Sequence, residues 1–209
     1  MLSPGSDYRT LNNTFAWEIP DAFNIAHAVC DRHADGGNRL ALIEVERTGK
    51  VVEHSFDHLQ KAANRLANGL QAHGVDRGDR IAILLGQQVE TLIGHLAIYK
   101  LGAIAVPLFG LFGPEALSFR LRDSGARALL TDQDGAEKIA PIRTDLSDLD
   151  LVITTELATA DSVHLDNLLK QASDRFETVS TLADDPALII YTSGTTGPPK
   201  GALHAHRVL

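Results

Sequence analysis

Residues 191–201 read YTSGTTGPPKG, and they follow the apolar run from Ala187 to Tyr191. An apolar run of this length predicts a buried strand. The residues after it combine hydroxyl side chains, glycines and a lysine. Small side chains let backbone N–H groups approach phosphate oxygens, hydroxyls add donors, and the lysine adds a mobile positive charge. A turn of this composition can bind a polyphosphate.

The order of residues separates this segment from two other phosphate-binding patterns. A Walker A loop needs glycine directly before its lysine and a hydroxyl residue after it, whereas Pro199 precedes Lys200 and Gly201 follows it. The glycine spacing also differs from G-x-G-x-x-G. Pro198 and Pro199 fix φ near −65° and stiffen the lysine end. A strand, this turn and a helix beginning near His204 are the layout expected of a ligand-binding crevice at strand ends. Composition alone would nevertheless favour a flexible Gly/Thr/Pro connection.

Upstream of this segment, helical and strand patterns alternate. The predicted strands are Leu40–Glu46, Lys50–His54, Arg80–Leu85, Ala103–Pro107, Arg127–Thr131, Leu149–Thr154 and Ala187–Tyr191. The predicted helices are 22–34, Asp57–His73, Val89–Lys100, Glu115–Asp123 opened by Pro114, Gly135–Ile139 and Leu165–Gln171. This order predicts an α/β fold with a mostly parallel sheet layered with helices on both faces. Residues 1–20 are predicted to be an irregular arm, and residues 21–209 to belong to one domain.

Composition excludes several classes of function. The net charge of the 209 residues is −8 and the basic residues do not cluster, which argues against nucleic acid or an anionic membrane as partner. The longest apolar run, Leu101 to Gly113, contains Pro107 and is shorter than the roughly 20 residues a membrane span needs. The first residues have no signal-peptide pattern, so we expect a cytoplasmic protein. The single cysteine, Cys30, is interpreted as a buried thiol.

Several segments carry a resemblance to a known family. They are YTSGTTGPPKG (191–201), RGDRIAILL (77–85), KLGAIAVPL (100–108), FGPEAL (112–117) and RLRDSGA (120–126). The chain resembles the adenylate-forming (AMP-binding) superfamily of acyl-CoA synthetases, luciferases and peptide-synthetase adenylation domains. Segments 112–117 and 120–126 are similar to the acetyl-CoA and medium-chain acyl-CoA synthetase branch. Gly86 departs from the family pattern, where relatives often carry proline.

The resemblance implies a two-step ligase reaction and a set of ligands. A carboxylic acid reacts with ATP to give an acyl-adenylate and pyrophosphate, and coenzyme A then takes the acyl group, as in fatty acid metabolism. The resemblance implies that Lys200 is catalytic and that Thr192 helps to hold Mg²⁺. It implies that ATP phosphates are bound by Thr192, Ser193, Gly194, Thr195, Thr196, Gly197 and Lys200.

The family's later motifs do not occur in these 209 residues. They include an aromatic-Gly-x-Thr-Glu segment, a hinge aspartate that holds the ribose, a late lysine and most of the acyl pocket. The resemblance thus covers the N-terminal portion of the family's large domain, truncated after the phosphate-binding segment, and we expect this chain to be inactive alone. Two alternatives stay open. The chain could be a noncatalytic truncated product that binds nucleotide weakly or pairs with another protein, or with itself, through an exposed sheet edge. It could also be a fragment of another adenylating enzyme, such as a peptide-synthetase module or a luciferase-like enzyme. The identity of the acid is open as well.

Other polar residues near this segment are interpreted more simply. His204 and His206 form an H-x-H pair without a third metal ligand, so we expect them near the nucleotide or acyl pocket. Asp184 and Asp185 are interpreted as a polar turn ahead of the strand. His95 lies in an apolar stretch and is expected to pack rather than to catalyse.

Overall fold

The computed structural model describes residues 7–46, 48–156, 161–192 and 197–208. Its strands are β1 (Leu40–Val45), β2 (Val51–Ser55), β3 (Arg80–Leu84), β4 (Ile104–Pro107), β5 (Ala126–Thr131), β6 (Leu151–Thr154), β7 (Val163–His164), β8 (Pro186–Thr192) and β9 (Lys200–Ala205). Its helices are α1 (Tyr8–Thr14), α2 (Ile25–Val29), α3 (Phe56–Ala72), α4 (Val89–Lys100), α5 (Pro114–Ser124), α6 (Gln133–Ile139) and α7 (Leu165–Gln171). Short 3-10 helices cover Asp31–His33, Ala140–Asp145 and His206–Val208. None of the helices in the described ranges has the length and apolar character needed to cross a membrane.

A mostly parallel sheet forms the centre of the fold. Its strand order is β7-β6-β5-β3-β4-β8-β9. Strands β8 and β9 pair with each other in antiparallel orientation. The pairs β3–β4, β3–β5, β4–β8, β5–β6 and β6–β7 are all parallel. Strands β1 and β2 form a separate antiparallel hairpin. The predicted α/β class with a mostly parallel sheet is confirmed.

Helices cover both faces of the sheet, and alternate side chains of each central strand point to opposite layers. Ile81 and Ile83 of β3 pack in a core with α2, α3, α4 and α7. Ala82 and Leu84 of the same strand pack in a second core with α5 and α6. Burial on both faces explains why the central strands are continuously apolar rather than alternating in sequence.

Local signals in the sequence set the ends of helices α3 and α5. Ser55 caps α3 by accepting a hydrogen bond from the His58 amide, and Gly74 follows the helix with φ of 81°. Pro114 opens α5. Proline lacks a backbone N–H group, but the N–H groups of the first turn of a helix have no partner within the helix in any case. Gly125 ends α5 in the left-handed conformation, with φ of 58°.

The structure corrects three of the predictions. The helix expected near His204 is wrong, because residues 200–205 form β9 and only the short 3-10 helix His206–Val208 follows. The arm is not wholly irregular, since Asp7 accepts hydrogen bonds from the Arg9 and Thr10 amides and opens helix α1. Between β6 and β8, where the sequence predicts only the helix Leu165–Gln171, the chain also forms the two-residue strand β7, which extends the sheet beside β6.

Candidate functional site

The carboxyl ends of the parallel strands define the edge at which the candidate site lies. β8 runs parallel to β4, so Thr192 at its end lies at the same edge as Pro107 at the end of β4. The helix after β3 covers one face of the sheet, whereas the helix after β4 covers the other. Strands whose connections leave in opposite directions open a crevice at their carboxyl ends, where α/β proteins bind ligands. β8 pairs with β4, so its carboxyl end lies beside this crevice.

The residues that border the phosphate-binding segment are set by strand pairing. Thr192 ends β8, Lys200 begins β9, and the two residues are paired across the antiparallel ladder. Both residues are exposed. Gly197 has φ of 90°, a left-handed conformation that costs a glycine little and other residues much. Ser193, Gly194, Thr195 and Thr196, also predicted to bind phosphate, lie outside the described residues.

The expected Mg²⁺ site at Thr192 depends on which other side chains could act as metal ligands. Among the residues that the structure describes, no group of three or more His, Cys, Asp or Glu side chains could hold a metal ion. A single threonine hydroxyl is a weak site by itself, because Mg²⁺ prefers six oxygen ligands and is commonly held through substrate phosphates. The role of Thr192 in holding Mg²⁺ therefore stays a prediction.

The strand ends beneath the segment are fixed by an aromatic and charged cluster. Tyr191 is buried, and its hydroxyl donates a hydrogen bond of 2.6 Å to a carboxylate oxygen of Asp123 in α5. Burial, and then the hydrogen bond to Asp123, raise the pKa of Tyr191. The guanidinium of Arg120 lies 4.0 Å from the ring centre of Phe112 and 5.6 Å from that of Tyr191. Sequence reasoning missed Asp123 and Arg120 as parts of this cluster, because their contacts to Tyr191 span 68 or more residues.

His206, the second residue of the H-x-H pair, lies away from the phosphate-binding segment. β9 runs antiparallel to β8, so His206 lies beyond the end of β9 opposite to Lys200. His206 is fully buried, and its Nδ1 accepts a hydrogen bond from the Ile25 amide at 3.2 Å. Burial lowers the pKa of His206 and so favours the neutral ring that can accept this bond. The expectation that His206 adjoins the nucleotide is wrong, and the residue instead holds the start of α2.

The carboxylate pair ahead of β8 belongs to the same distant edge. Asp185 accepts a hydrogen bond from the Leu182 amide and pairs with Arg77 at 2.6 Å. Asp184 pairs with Arg207 at 2.8 Å. These contacts are those of a polar turn with surface ion pairs, as the sequence predicted, and they lie away from the candidate site.

Comparison with known proteins connects this geometry to a family. The family model described as AMP-binding enzyme matches residues 30–209. The chain belongs to the AMP-binding enzyme family. The acetyl-coenzyme A synthetases of Escherichia coli strain K12 and Pseudomonas aeruginosa are each 30% identical to it, over 92% and 90% of this chain.

Solved structures give the same result for this AMP-binding chain. A crystal structure of an acyl-CoA synthetase from Brucella canis matches 97% of the chain with a TM-score of 0.82 and 28% identity. An anthranilate CoA ligase in complex with anthranoyl-AMP matches 91% of it with a TM-score of 0.80 and 27% identity. The match covers 37% and 36% of those chains, and 33% of the Escherichia coli synthetase. The chain therefore spans about a third of the length of its relatives.

Proposed function

We propose that this chain supplies the ATP phosphate-binding part of an AMP-forming acyl-CoA synthetase. The observation that carries the proposal is the β8–β9 hairpin, which sets Thr192 and Lys200 side by side at the carboxyl edge of the sheet. The family membership of the chain and its similarity to acyl-CoA synthetases favour a coenzyme A ligase over other adenylating enzymes. The division at residue 20 and the cytoplasmic location are proposed on the sequence alone.

The proposed chemistry proceeds in two steps. A substrate carboxylate attacks the α-phosphorus of ATP, which forms an acyl-adenylate and releases pyrophosphate. The thiol of coenzyme A then attacks the acyl carbon, and AMP leaves as the thioester forms. Such transfers depend on positioning and on neutralising charge rather than on covalent help from the protein.

Each residue of the segment has a proposed role in the first step. Lys200 offsets negative charge on the β- and γ-phosphates and on the departing pyrophosphate. Thr192 donates its hydroxyl to the nucleotide or shares Mg²⁺ with phosphate oxygens. The phosphates are bound further by Ser193, Gly194, Thr195, Thr196 and Gly197. Acid and coenzyme A contacts are proposed for the part of the relatives that this chain does not span.

Replacement of the lysine tests this proposal. In an enzyme of the relatives' full length that contains this chain, Lys200→Ala is expected to slow adenylate formation by about 10²–10³, the usual effect of removing one preorganised charge-stabilising group. Lys50→Ala is the matched control, because Lys50 is an exposed lysine whose partner is Glu46 in the β1–β2 turn. Unchanged carboxylate-dependent ATP–pyrophosphate exchange in Lys200→Ala would remove Lys200 from the mechanism.

The chain of 209 residues is proposed to be inactive alone. It lacks the aromatic-Gly-x-Thr-Glu segment, the hinge aspartate, the late lysine and most of the acyl pocket, which the family resemblance places in later segments. Purified chain is expected to give no ATP–pyrophosphate exchange above a reaction without the carboxylate. An exchange signal that requires the acid, and that Lys200→Ala abolishes, would contradict this expectation.

A second candidate function is self-association through β9. Within the described residues β9 pairs with β8 alone, and Leu203 in its middle is 59% exposed. An exposed edge strand with an apolar side chain favours pairing with another strand. Sedimentation of the purified chain tests this: dimers that Leu203→Lys converts to monomers support the function, and a monomer at all concentrations excludes it.

A further inference from the structure

The side chain of Tyr191 connects both strands of the β8–β9 hairpin to the rest of the fold. Tyr191 is the last buried residue of β8, and Thr192 follows it directly. Across the hairpin it pairs with Gly201, one residue after Lys200. Any movement of Tyr191 therefore reaches both residues that border the phosphate-binding segment.

Close packing fixes the ring of Tyr191 against β9. A Cβ atom built on Gly201 would lie 3.3 Å from Cζ of the Tyr191 ring and 2.9 Å from Cγ2 of Ile189. A side chain at position 201 would therefore require Ile189 and the Tyr191 ring to shift, which shows that the ring packs closely against Gly201. The absence of a side chain at Gly201 lets one tyrosine hold both strands.

Hydrogen bonding and charge fix the other end of the same side chain. The Tyr191 hydroxyl donates to Asp123 at 2.6 Å, and a hydrogen bond to a charged acceptor is among the stronger ones in proteins. Arg120, itself buried, donates from Nη1 to the Ala116 carbonyl and stacks on Phe112. The same guanidinium lies 5.6 Å from the centre of the Tyr191 ring, so α5 contacts this ring through Arg120 as well as through Asp123.

We propose that Tyr191 and Asp123 are positioning residues, whose hydrogen bond holds the β8–β9 hairpin so that Thr192 and Lys200 face the ATP phosphates. This role rests on the proposed ATP-binding function. Neither side chain touches the nucleotide. Both act through the backbone pairs Tyr191–Gly201 and Thr192–Lys200.

Amide hydrogen exchange in the 209-residue chain tests the positioning itself. Tyr191→Phe removes one hydroxyl and keeps the ring, and it is expected to speed exchange about tenfold at the amides of Thr192, Lys200 and Gly201. Amides of β3 and β5 should keep their rates. Tyr99→Phe is the matched control, because Tyr99 is equally buried and its hydroxyl contacts His95 on the opposite face of the sheet. Unchanged rates in the hairpin, or an equal acceleration throughout the sheet, would overturn the positioning role.

Titration with MgATP, followed by the amide shifts of Gly197, Lys200 and Gly201, tests the consequence for binding. Tyr191→Phe and Asp123→Ala are each expected to weaken affinity about tenfold, which corresponds to about 1.4 kcal/mol. The double variant should bind no more weakly than either single one, because both remove the same interaction. Equal affinity of the unmodified chain and Tyr191→Phe would overturn the positioning role and leave the proposed function intact. If the unmodified chain binds no MgATP, the same titration is repeated with an enzyme of the relatives' full length that contains this chain. Absence of MgATP binding there would overturn the proposed function and, with it, the positioning role.

Discussion

Replacement of Asp31 tests how far burial determines the strength of an ion pair in this fold. Lys100, the last residue of α4, is 1% exposed, and its Nζ lies 2.5 Å from both carboxylate oxygens of Asp31. The hydroxyl of Thr178 bonds to both partners, at 3.2 Å to Lys100 and 3.0 Å to Asp31. The cluster joins α4, the 3-10 helix after α2 and the segment that leads to β8.

The expected magnitude follows from the charge that remains. Asp31→Ala leaves the ammonium of Lys100 buried without its anion, and breaking a buried pair in this way costs about 3–5 kcal/mol. Asp134 and Lys138 form a comparison pair with the same 2.5 Å separation, but their side chains are 71% and 28% exposed. An exposed pair contributes about 0.2–1 kcal/mol, so Asp134→Ala is expected to change stability little.

Urea unfolding of the 209-residue chain at pH 7, followed by circular dichroism, measures both changes. The double variant Asp31→Asn/Lys100→Met removes both charges and keeps side-chain volume, so it should recover most of the stability lost in Asp31→Ala. Equal losses in Asp31→Ala and Asp134→Ala would refute the dependence on burial. A double variant no more stable than Asp31→Ala would show that packing, rather than the stranded charge, sets the loss.

Two titratable groups give further predictions. Burial raises the pKa of the Cys30 thiol to about 11. Because the thiolate is the reactive form, alkylation of Cys30 in the native chain at pH 8 should be at least about tenfold slower than in urea. Equal alkylation rates would contradict this. Burial lowers the pKa of His95 from 6.5 to about 4. The unfolded chain therefore binds a proton between these pH values that the folded chain does not, and stability present above pH 6.5 is lost as pH falls to 4. Urea unfolding measures the free energy of unfolding at pH 7 and at pH 4.5. The decrease between these two pH values should be smaller by about 1–3 kcal/mol in His95→Gln than in the unmodified chain. An identical decrease in both proteins would contradict the assignment to His95.

The elements predicted from the sequence are those whose signals are local. Helix Val89–Lys100 was predicted with the bounds that the structure gives, although α4 is buried on most sides, because a polar Gln87-Gln88 pair precedes it and Gly102 follows. The spacing of Leu59, Ala63 and Leu66 likewise predicts α3, since it places all three on one face. The residues that determine where such a helix starts, where it ends and which face it buries lie within about 20 residues of sequence.

The parts that sequence reasoning missed depend on distant partners. His206 accepts its hydrogen bond from an amide 181 residues earlier, and Tyr191 donates to a carboxylate 68 residues earlier. Strand β9 has no β-branched residue in KGALHA, so its own sequence does not favour a strand. It forms because β8 offers a free edge beside it, and pairing along that edge satisfies backbone groups that a short isolated helix would satisfy less well.

The replacement of the expected helix by β9 changes how charge is stabilised at the candidate site. A helix that began directly after the phosphate-binding segment would have offered its N-terminal amides and the positive end of its dipole to an anion. Within residues 197–208 the chain instead continues as a strand, whose backbone dipoles alternate and largely cancel. The positive charge that the sequence places at this edge is then carried by the side chain of Lys200, the first residue of that strand. For this reason Lys200→Ala is expected to have a large effect on adenylation, because no helix dipole in the described part of the hairpin offsets its loss.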